Sequence, residues 1–195
     1  MSSLNNMNIY LIDKLTLEDH FASAKLEKNY FSDDLIADPK VTWGWYAKNP
    51  ETYVMAKDCK TGEIIGHLLF LPIDDYLFEL IKSGNYVDTN ITPEHIITYN
   101  KPGIYKLYFC VVCVAPLYRQ HNISRLMIEA YAKKFRDLKS RGIIFSEVIA
   151  DAVTLEGVRF CERALGMRAI QNSAHNSHIM QVSGDDFYKI LLNLE

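Results

Sequence analysis

Three basic side chains cluster where an apolar segment gives way to a helical one. Residues 105–114 (YKLYFCVVCV) lack a polar face, which predicts an interior β-strand. A short link follows this strand, and in it or next to it lie Arg119, His121 and Arg125. Ile123 begins an apolar repeat typical of an amphipathic helix. The first N–H groups of a helix have no intrahelical partner and carry the positive end of its dipole. The stretch therefore predicts an anion site, with a plain solvated surface as the alternative.

The elements around this unit alternate between strand and helix patterns. Strands are predicted at residues 7–12, 52–57, 63–71, 105–114, 143–150, 167–170 and 179–182. Helices are predicted after Thr16, at 123–141, at 154–165 and at the C-terminal end. A whole helix separates strands 105–114 and 143–150, so these two are expected to be parallel, while hairpins make other pairs antiparallel. The fold class is therefore α/β (α+β), a mixed, mostly antiparallel central sheet with helices on both faces.

Two segments break this regularity. Residues 30–50 hold both tryptophans and are expected to form a short helical excursion over one edge. Residues 73–103 predict one short helix that ends at Gly84, followed by loop or a further turn of helix. A connection this long inside a compact domain is usually functional or poorly ordered. We expect one domain over residues 1–195, with 73–103 as an insertion.

Composition excludes several classes of protein. The chain has 195 residues, of which 49% are hydrophobic and 23% charged, and its net charge of -3 argues against nucleic-acid binding. No apolar run approaches the roughly 20 residues of a membrane span. The first residues lack the pattern of a signal peptide, and the four cysteines are expected to be reduced, so a cytoplasmic location is predicted. Cys110 and Cys113 are expected to be buried strand residues on opposite faces rather than a metal or redox pair.

Two motifs carry a resemblance to a known family. Residues 114–124 (VAPLYRQHNIS) resemble the acetyl-CoA signature V-x-P-x-Y-R-x-x-G-[IV]-G/A of the GNAT N-acetyltransferase superfamily. Residues 158–167 (VRFCERALGM) resemble the A-x-x-x-Y-E-K-x-G-F end of a later helix in that family. Residues 56–68 (AKDCKTGEIIGHL) resemble the hairpin before the core motif, so the likeness covers about the whole chain in element order.

The resemblance implies an N-acetyltransferase that uses acetyl-CoA as co-substrate and no metal. An acetyl group would pass to the primary amine of a small-molecule or amino-acid-like acceptor by direct attack in a ternary complex. Pantetheine would pair with the strand at Val112 and Val114, and pyrophosphate would sit on the loop amides. The residues implied to contact the cofactor are Val112, Cys113, Val114, Arg119, Gln120, His121, Asn122, Ile123, Ser124, Arg125 and Thr154. The expected partner is the amine, not nucleic acid or membrane, and a homodimer is left open.

The sequence departs from the family pattern at three functional positions. Asn122 and Ser124 replace two glycines, which normally let backbone approach a phosphate. Asn tolerates left-handed dihedrals and Ser is small, so binding is still expected. Cys161 replaces the tyrosine thought to protonate the leaving thiolate; it is expected to donate that proton or to be a small packing residue. An acyl-cysteine route is the least favoured interpretation.

A general base must also deprotonate the acceptor amine. Glu147 and Asp34 are the candidates: Glu147 lies on the strand beside the expected thioester, and Asp34 lies in the segment that shapes the acceptor side in the family. Asp33 and Asp151 are further candidates, and His67 is interpreted as a packed histidine. The aromatic residues of segment 30–50, together with 73–103, could wall the acceptor pocket.

Two alternatives remain open at this stage. The lost tyrosine and glycines favour a catalytically silent relative that binds an acyl-CoA as a sensor or partner-binding module. The small side chain of Cys161 would also admit an acyl group longer than acetyl.

Overall fold

The computed structural model describes residues 9–192, so Met7 and Asn8 of the predicted first strand lie outside it. The strands are β1 (Ile9–Ile12), β2 (Tyr53–Asp58), β3 (Ile64–Pro72), β4 (Gly103–Val114), β5 (Ile143–Ala152), β6 (Arg168–Asn172) and β7 (His178–Ser183). The α-helices are α1 (Leu17–Glu27), α2 (Pro39–Lys48), α3 (Asp75–Lys82), α4 (Ile123–Ser140), α5 (Leu155–Leu165) and α6 (Gly184–Leu192). Short 3₁₀ segments are Asp33–Leu35, Pro50–Thr52, Asp88–Asn90, Pro93–His95 and Pro116–His121.

The strands form one seven-stranded sheet in the order β1-β2-β3-β4-β5-β7-β6. Strands β4 and β5 are parallel, and the other neighbouring pairs are antiparallel. The crossover α4 joins the parallel pair, as the whole helix between the two apolar runs predicted. The predicted mixed, mostly antiparallel sheet is therefore confirmed.

Each face of the sheet buries its own apolar layer. Helices α1, α2 and α3 cover one face, and α4, α5 and α6 cover the other. Phe70 lies at the centre of the second layer, where its ring centroid is 4.8–5.7 Å from those of Phe109, Tyr131, Phe135 and Phe187. Such aromatic clusters combine a large buried area with favourable ring geometry, and they hold α4 and α6 against β3 and β4.

A bulge disturbs the alternation of side chains along β4. The register between β3 and β4 shifts between Leu69 and Phe70, which makes Cys110 an extra residue opposite β3. Cys110 and Cys113 consequently pack on the same face, under α1 and α2. The expectation that they point to opposite faces was wrong, because it assumed an unbroken two-residue period.

The parallel pair opens part-way along its length. Phe109 pairs with Ala150, and this is the last β4–β5 pair. Beyond it β4 continues to Val114 beside β3, and β5 continues to Ala152 beside β7. The sheet therefore splits between its two central parallel strands, toward the end at which α4 begins.

The 73–103 connection is packed against the body of the protein. It contains α3 and two 3₁₀ turns, and Ile73 forms an isolated bridge with Ile96. The Trp45 indole N–H donates to the carbonyl of Ile91 over 3.0 Å, and Ile91 is completely buried. Segment 30–50, predicted to be a helical excursion, forms α2 and carries this tryptophan. The two irregular segments thus support each other.

Candidate active site

A cavity of about 590 Å³ occupies the split between β4 and β5 and continues under α1 and α2. This volume is typical of sites for small molecules. Seven of the residues predicted to form the site line it: Val112, Cys113, Val114, Arg119, Ser124, Thr154 and Cys161. On the other side it is lined by acidic, aromatic and histidine side chains: Glu27, Tyr30, Phe31, Trp45, Tyr53, His67, Asp88 and Asp151. One continuous space therefore joins the predicted cofactor strand to the predicted acceptor segments.

The open edge of β4 presents backbone groups to this cavity. The Ala115 N–H donates to the Ile65 carbonyl of β3 over 2.7 Å, which fixes the direction in which this part of the strand points. Because backbone groups alternate along an antiparallel strand, those of Val114 and Val112 point away from β3, into the split. These groups can pair with the amides of an extended ligand, as the resemblance implied.

The loop before α4 is built around a left-handed residue. Asn122 has φ 57° and ψ 24°, a region that glycine and asparagine tolerate better than other residues. The helix starts at the next residue, so its unpaired N–H groups face the end of the split where Ser124 and Arg119 line the cavity. An oxyanion such as a phosphate fits this combination of amides and a guanidinium.

Tyr30 joins the acceptor side to this loop. Its hydroxyl donates a hydrogen bond to the Val114 carbonyl, one of the groups on the open edge of β4. The Arg119 guanidinium carbon lies 4.8 Å from the centroid of the Tyr30 ring, a cation–π contact. The sequence placed Tyr30 among the pocket-wall aromatics but carried no signal for this contact with Val114.

The remaining predicted loop residues lie outside the cavity lining. Ile123 is 1% exposed and belongs to the core, and Arg125 pairs with Glu129 one turn along α4 at 2.8 Å. His121 lies beside the ring of Tyr118, with ring centroids 6.3 Å apart. The other two, Gln120 and Asn122, are exposed on the surface of the loop. Their roles in holding the cofactor stay predictions.

Cys161 faces the cavity from α5 and is 2% exposed. Burial raises the pKa of its thiol to about 12. An ordinary thiol has a pKa of about 8.5, so proton transfer from Cys161 to a leaving thiolate would be uphill by roughly 4–5 kcal/mol. The thiol is therefore neutral and a poor acid, which favours the packing interpretation of Cys161.

Neither predicted base is among the residues that line the cavity. Glu147 lies on β5 three residues before the split, where its Oε1 accepts hydrogen bonds from the Lys82 ammonium at 2.6 Å and from the Gln181 amide. Asp34 is exposed, and a hydrogen bond from Ser32 is the largest cause that lowers its pKa. The contacts of Glu147 therefore suit a structural role, and the exposure of Asp34 suits a surface role.

Three other carboxylates reach the acceptor side of the cavity. Glu27 comes from α1, Asp88 from the 73–103 connection and Asp151 from β5. Burial raises the pKa of Asp88 to about 6, although a hydrogen bond from Tyr108 opposes this, and burial also raises the pKa of Asp151. His67 adds a ring nitrogen 3.2 Å from Glu27 Oε1. Sequence reasoning missed Glu27 and Asp88, because nothing in a local pattern shows that the two segments meet.

Within 9–192, no group of three or more His, Cys, Asp or Glu side chains is arranged to hold a metal ion. Over that range, too, none of the helices has the length and apolar character that crossing a bilayer requires.

Comparison with known proteins places the chain in a family. Residues 18–167, well over half of the sequence, match the acetyltransferase (GNAT) family, so the protein belongs to it. Membership identifies the protein as an acetyltransferase, and binding of coenzyme A is a property of the family. Comparison with curated proteins gives no match.

Solved structures with the same fold share little sequence with this chain. The loading GNATL domain of CurA from Lyngbya majuscula superposes with a TM-score of 0.66 at 13% identity, over 91% of this chain and 98% of that one. Ard1 from Thermoplasma volcanium gives 0.58 at 8% identity, over 90% and 97%. Naa20 from Chaetomium thermophilum, in complex with a bisubstrate analogue, gives 0.57 at 16% identity, over 93% and 89%. These likenesses show the fold.

Proposed function

We propose that this acetyltransferase moves the acetyl group of acetyl-CoA to the primary amine of a small-molecule or amino-acid-like acceptor by direct attack in a ternary complex. The observation that carries the proposal is the single cavity that joins the open edge of β4 to an acidic, aromatic chamber. Two substrates that react directly must meet in one space, and here the space reaches both faces of the split sheet.

The cofactor end of the cavity fits acetyl-CoA. The outward backbone groups of Val112 and Val114 would pair with its pantetheine amides, and the α4 amides with Arg119 and Ser124 would hold its pyrophosphate. When bound, the cofactor supplies an activated acetyl thioester. The chain's own residues orient that group, keep water from it and place the amine beside it.

The acceptor end favours a cation with an apolar body. Glu27, Asp88 and Asp151 supply negative charge, whereas the nearest arginine in the lining, Arg119, lies at the cofactor loop. Phe31 and Trp45 supply apolar and aromatic walls, against which an ammonium group and its carbon skeleton are both stabilised. A primary amine is protonated at neutral pH, so it would enter this chamber as the ammonium ion.

The test is turnover of acetyl-CoA, followed by release of the free thiol, with a panel of amines. The panel should hold 2-phenylethylamine, 1,4-diaminobutane, an amino-acid amide and a tetrapeptide with a free amino terminus. The peptide is included because Naa20 and the NatC complex with its Gag peptide share the fold. We expect the small amines to give a higher kcat/KM than the peptide, and the reverse order would overturn the acceptor class.

The same assay separates the alternative functions. If CoA raises the melting temperature and no amine is acetylated, the protein is an acyl-CoA-binding relative without this activity. Faster turnover of a longer acyl-CoA than of acetyl-CoA would instead assign the cavity beside Cys161 to a longer acyl chain. Absence of both CoA binding and turnover would refute the proposed site.

A further inference from the structure

We propose that Asp88, carried into the cavity by the 73–103 connection, is the group that removes the proton from the acceptor ammonium. The inference rests on the proposed function and adds the catalytic residue that sequence reasoning did not find.

The carboxylate of Asp88 lies where β4 and β5 separate. The Tyr108 hydroxyl donates to Asp88 Oδ2 over 2.9 Å, and the Cys110 sulfur lies 3.9 Å from the same oxygen. These two residues flank Phe109, whose pair with Ala150 is the last before the strands part. Asp88 is half-buried and lines the cavity at this vertex.

The vertex is also where the reacting end of a cofactor would reach. Phosphates held at the start of α4 lie at the wide end of the split, beyond Val114. Val114 lies five residue steps along the strand from Phe109, a distance of about 17 Å. If the pantetheine arm of acetyl-CoA follows the open edge of β4 away from the phosphates, its thioester end therefore points toward Asp88.

The surroundings of Asp88 favour a base that titrates near neutrality. The titratable groups that act on it from the connection itself, from β4, from β5 and from α1 are Tyr86, Tyr108, Cys110, Asp151 and Glu27. The pKa of Asp88 is raised to about 6, chiefly by burial; the Tyr108 hydrogen bond opposes this rise, and the negative charges of Asp151 and Glu27 contribute to it. At pH 7 most of the carboxylate is ionised, yet it binds a proton more readily than a solvated aspartate does.

His67 is another base-like side chain in the cavity, and its position is less suitable. It is 1% exposed and its Nε2 lies 3.2 Å from Glu27 Oε1. In the sheet it pairs with Cys113, four residues or about 13 Å beyond the vertex at Phe109. It therefore lies level with the arm of the cofactor rather than with the thioester.

The proposed step conserves atoms and charge. One N–H proton of the ammonium passes to an Asp88 oxygen, the freed lone pair forms the C–N bond with the thioester carbon, and the C–S bond breaks. The ammonium loses two protons when it becomes an amide: one ends on the CoA sulfur and the other goes to solvent. The proton taken by Asp88 is the one that passes to solvent, which regenerates the carboxylate before the next cycle; the second proton ends on the CoA sulfur.

The experiment is the pH dependence of kcat/KM for the best amine, in wild type and in Asp88→Asn. In the wild type we expect activity to fall below about pH 6, where Asp88 becomes protonated. Asp88→Asn should lose about 100-fold or more at pH 7, within the usual range for removing a general base. Its residual activity should rise steadily with pH, because only the free amine reacts. Asp75→Asn is the matched control: it lies on the same connection but is exposed, and its profile should match that of the wild type.

Two neighbours give an independent signature if Asp88→Asn does not fold. Tyr108→Phe removes the hydrogen bond that lowers the pKa of Asp88, so the acid limb should move to higher pH. Asp151→Asn removes a negative charge that raises this pKa, so the acid limb should move to lower pH. Opposite movements support Asp88 as the titrating group.

The outcomes that overturn the inference are distinct from those that overturn the function. If the wild type turns over amines and Asp88→Asn keeps both its rate and its acid limb, Asp88 is not the base. Loss of activity in Asp151→Asn with an unchanged Asp88→Asn would move the role to Asp151. If the wild type acetylates no amine while CoA binds, the proposed function fails and the inference falls with it.

Discussion

Replacing Asn122 with alanine isolates the cost of the left-handed turn at the start of α4. Asn122 has φ 57°, its side chain is exposed, and within residues 9–192 it makes no capping hydrogen bond. Alanine therefore removes no capping contact from the loop. It removes only the better tolerance of asparagine for this backbone region.

The size of the effect follows from backbone sterics. A left-handed conformation costs an ordinary L-residue roughly 1–2 kcal/mol, and asparagine less. Asn122→Ala should therefore lower the free energy of unfolding by about 1 kcal/mol, or about 2–4 °C in melting temperature for a chain of this size. Asn122→Gly should be close to neutral, because relief of strain is offset by the roughly 0.5–1 kcal/mol entropic cost of glycine.

The same turn aims the amides that follow it at the proposed pyrophosphate. If CoA binding requires the left-handed conformation at position 122, the variant must meet its cost of about 1 kcal/mol on binding, and the affinity for CoA falls by about fivefold. Scanning calorimetry measures the melting temperature, and titration calorimetry with CoA measures the affinity. Asn176→Ala is the matched control, because Asn176 has φ 61° in the loop between β6 and β7, away from the cavity lining. It should lose similar stability and keep full affinity for CoA.

Two results would refute this reasoning. An Asn122→Ala variant as stable as the wild type would show that position 122 is not left-handed in solution. Equal changes in CoA affinity for Asn122→Ala and Asn176→Ala would show that the loop geometry does not set the affinity.

Three further predictions concern the side chains of Cys161, Tyr30 and His20. Cys161→Ala should keep turnover within about fivefold, because a thiol with a pKa of about 12 is a poor acid, whereas a 100-fold loss would make it the proton donor. Tyr30→Phe removes the hydrogen bond that the Tyr30 hydroxyl donates to the Val114 carbonyl, a bond that pantetheine must displace when it pairs with this carbonyl. The KM for acetyl-CoA should therefore fall by up to about fivefold with kcat unchanged, and a higher KM contradicts this. His20 is fully buried, and burial lowers its pKa from 6.5 to about 4. As the pH falls, His20 is therefore protonated in the unfolded chain at a higher pH than in the folded protein. Stability should therefore be full above pH 6.5 and fall by up to about 3 kcal/mol toward pH 4, and His20→Gln should flatten this slope in urea unfolding.

The features that can be predicted from the sequence are those determined by residues close together in the chain. The apolar run of β4, the repeat in α4 and the asparagine between them are contiguous, so their order alone predicts a strand, a turn and a helix N-terminus. The parallel arrangement of β4 and β5 follows from the helix between them. Seven of the predicted site residues line the cavity for this reason, since most of them belong to that one local unit.

The acceptor side could not be predicted, because it is made by segments far apart in the chain. Asp88 meets Tyr108 because the 73–103 connection packs on α2, and Glu27 reaches the same space from the end of α1. Glu147 was placed on the correct strand, yet the split begins only after Ala150, and Lys82 and Gln181 hold its carboxylate. Local sequence determined a strand–loop–helix unit suited to a cofactor. Where the strands part, and which acids burial brings to that point, was decided by long-range packing.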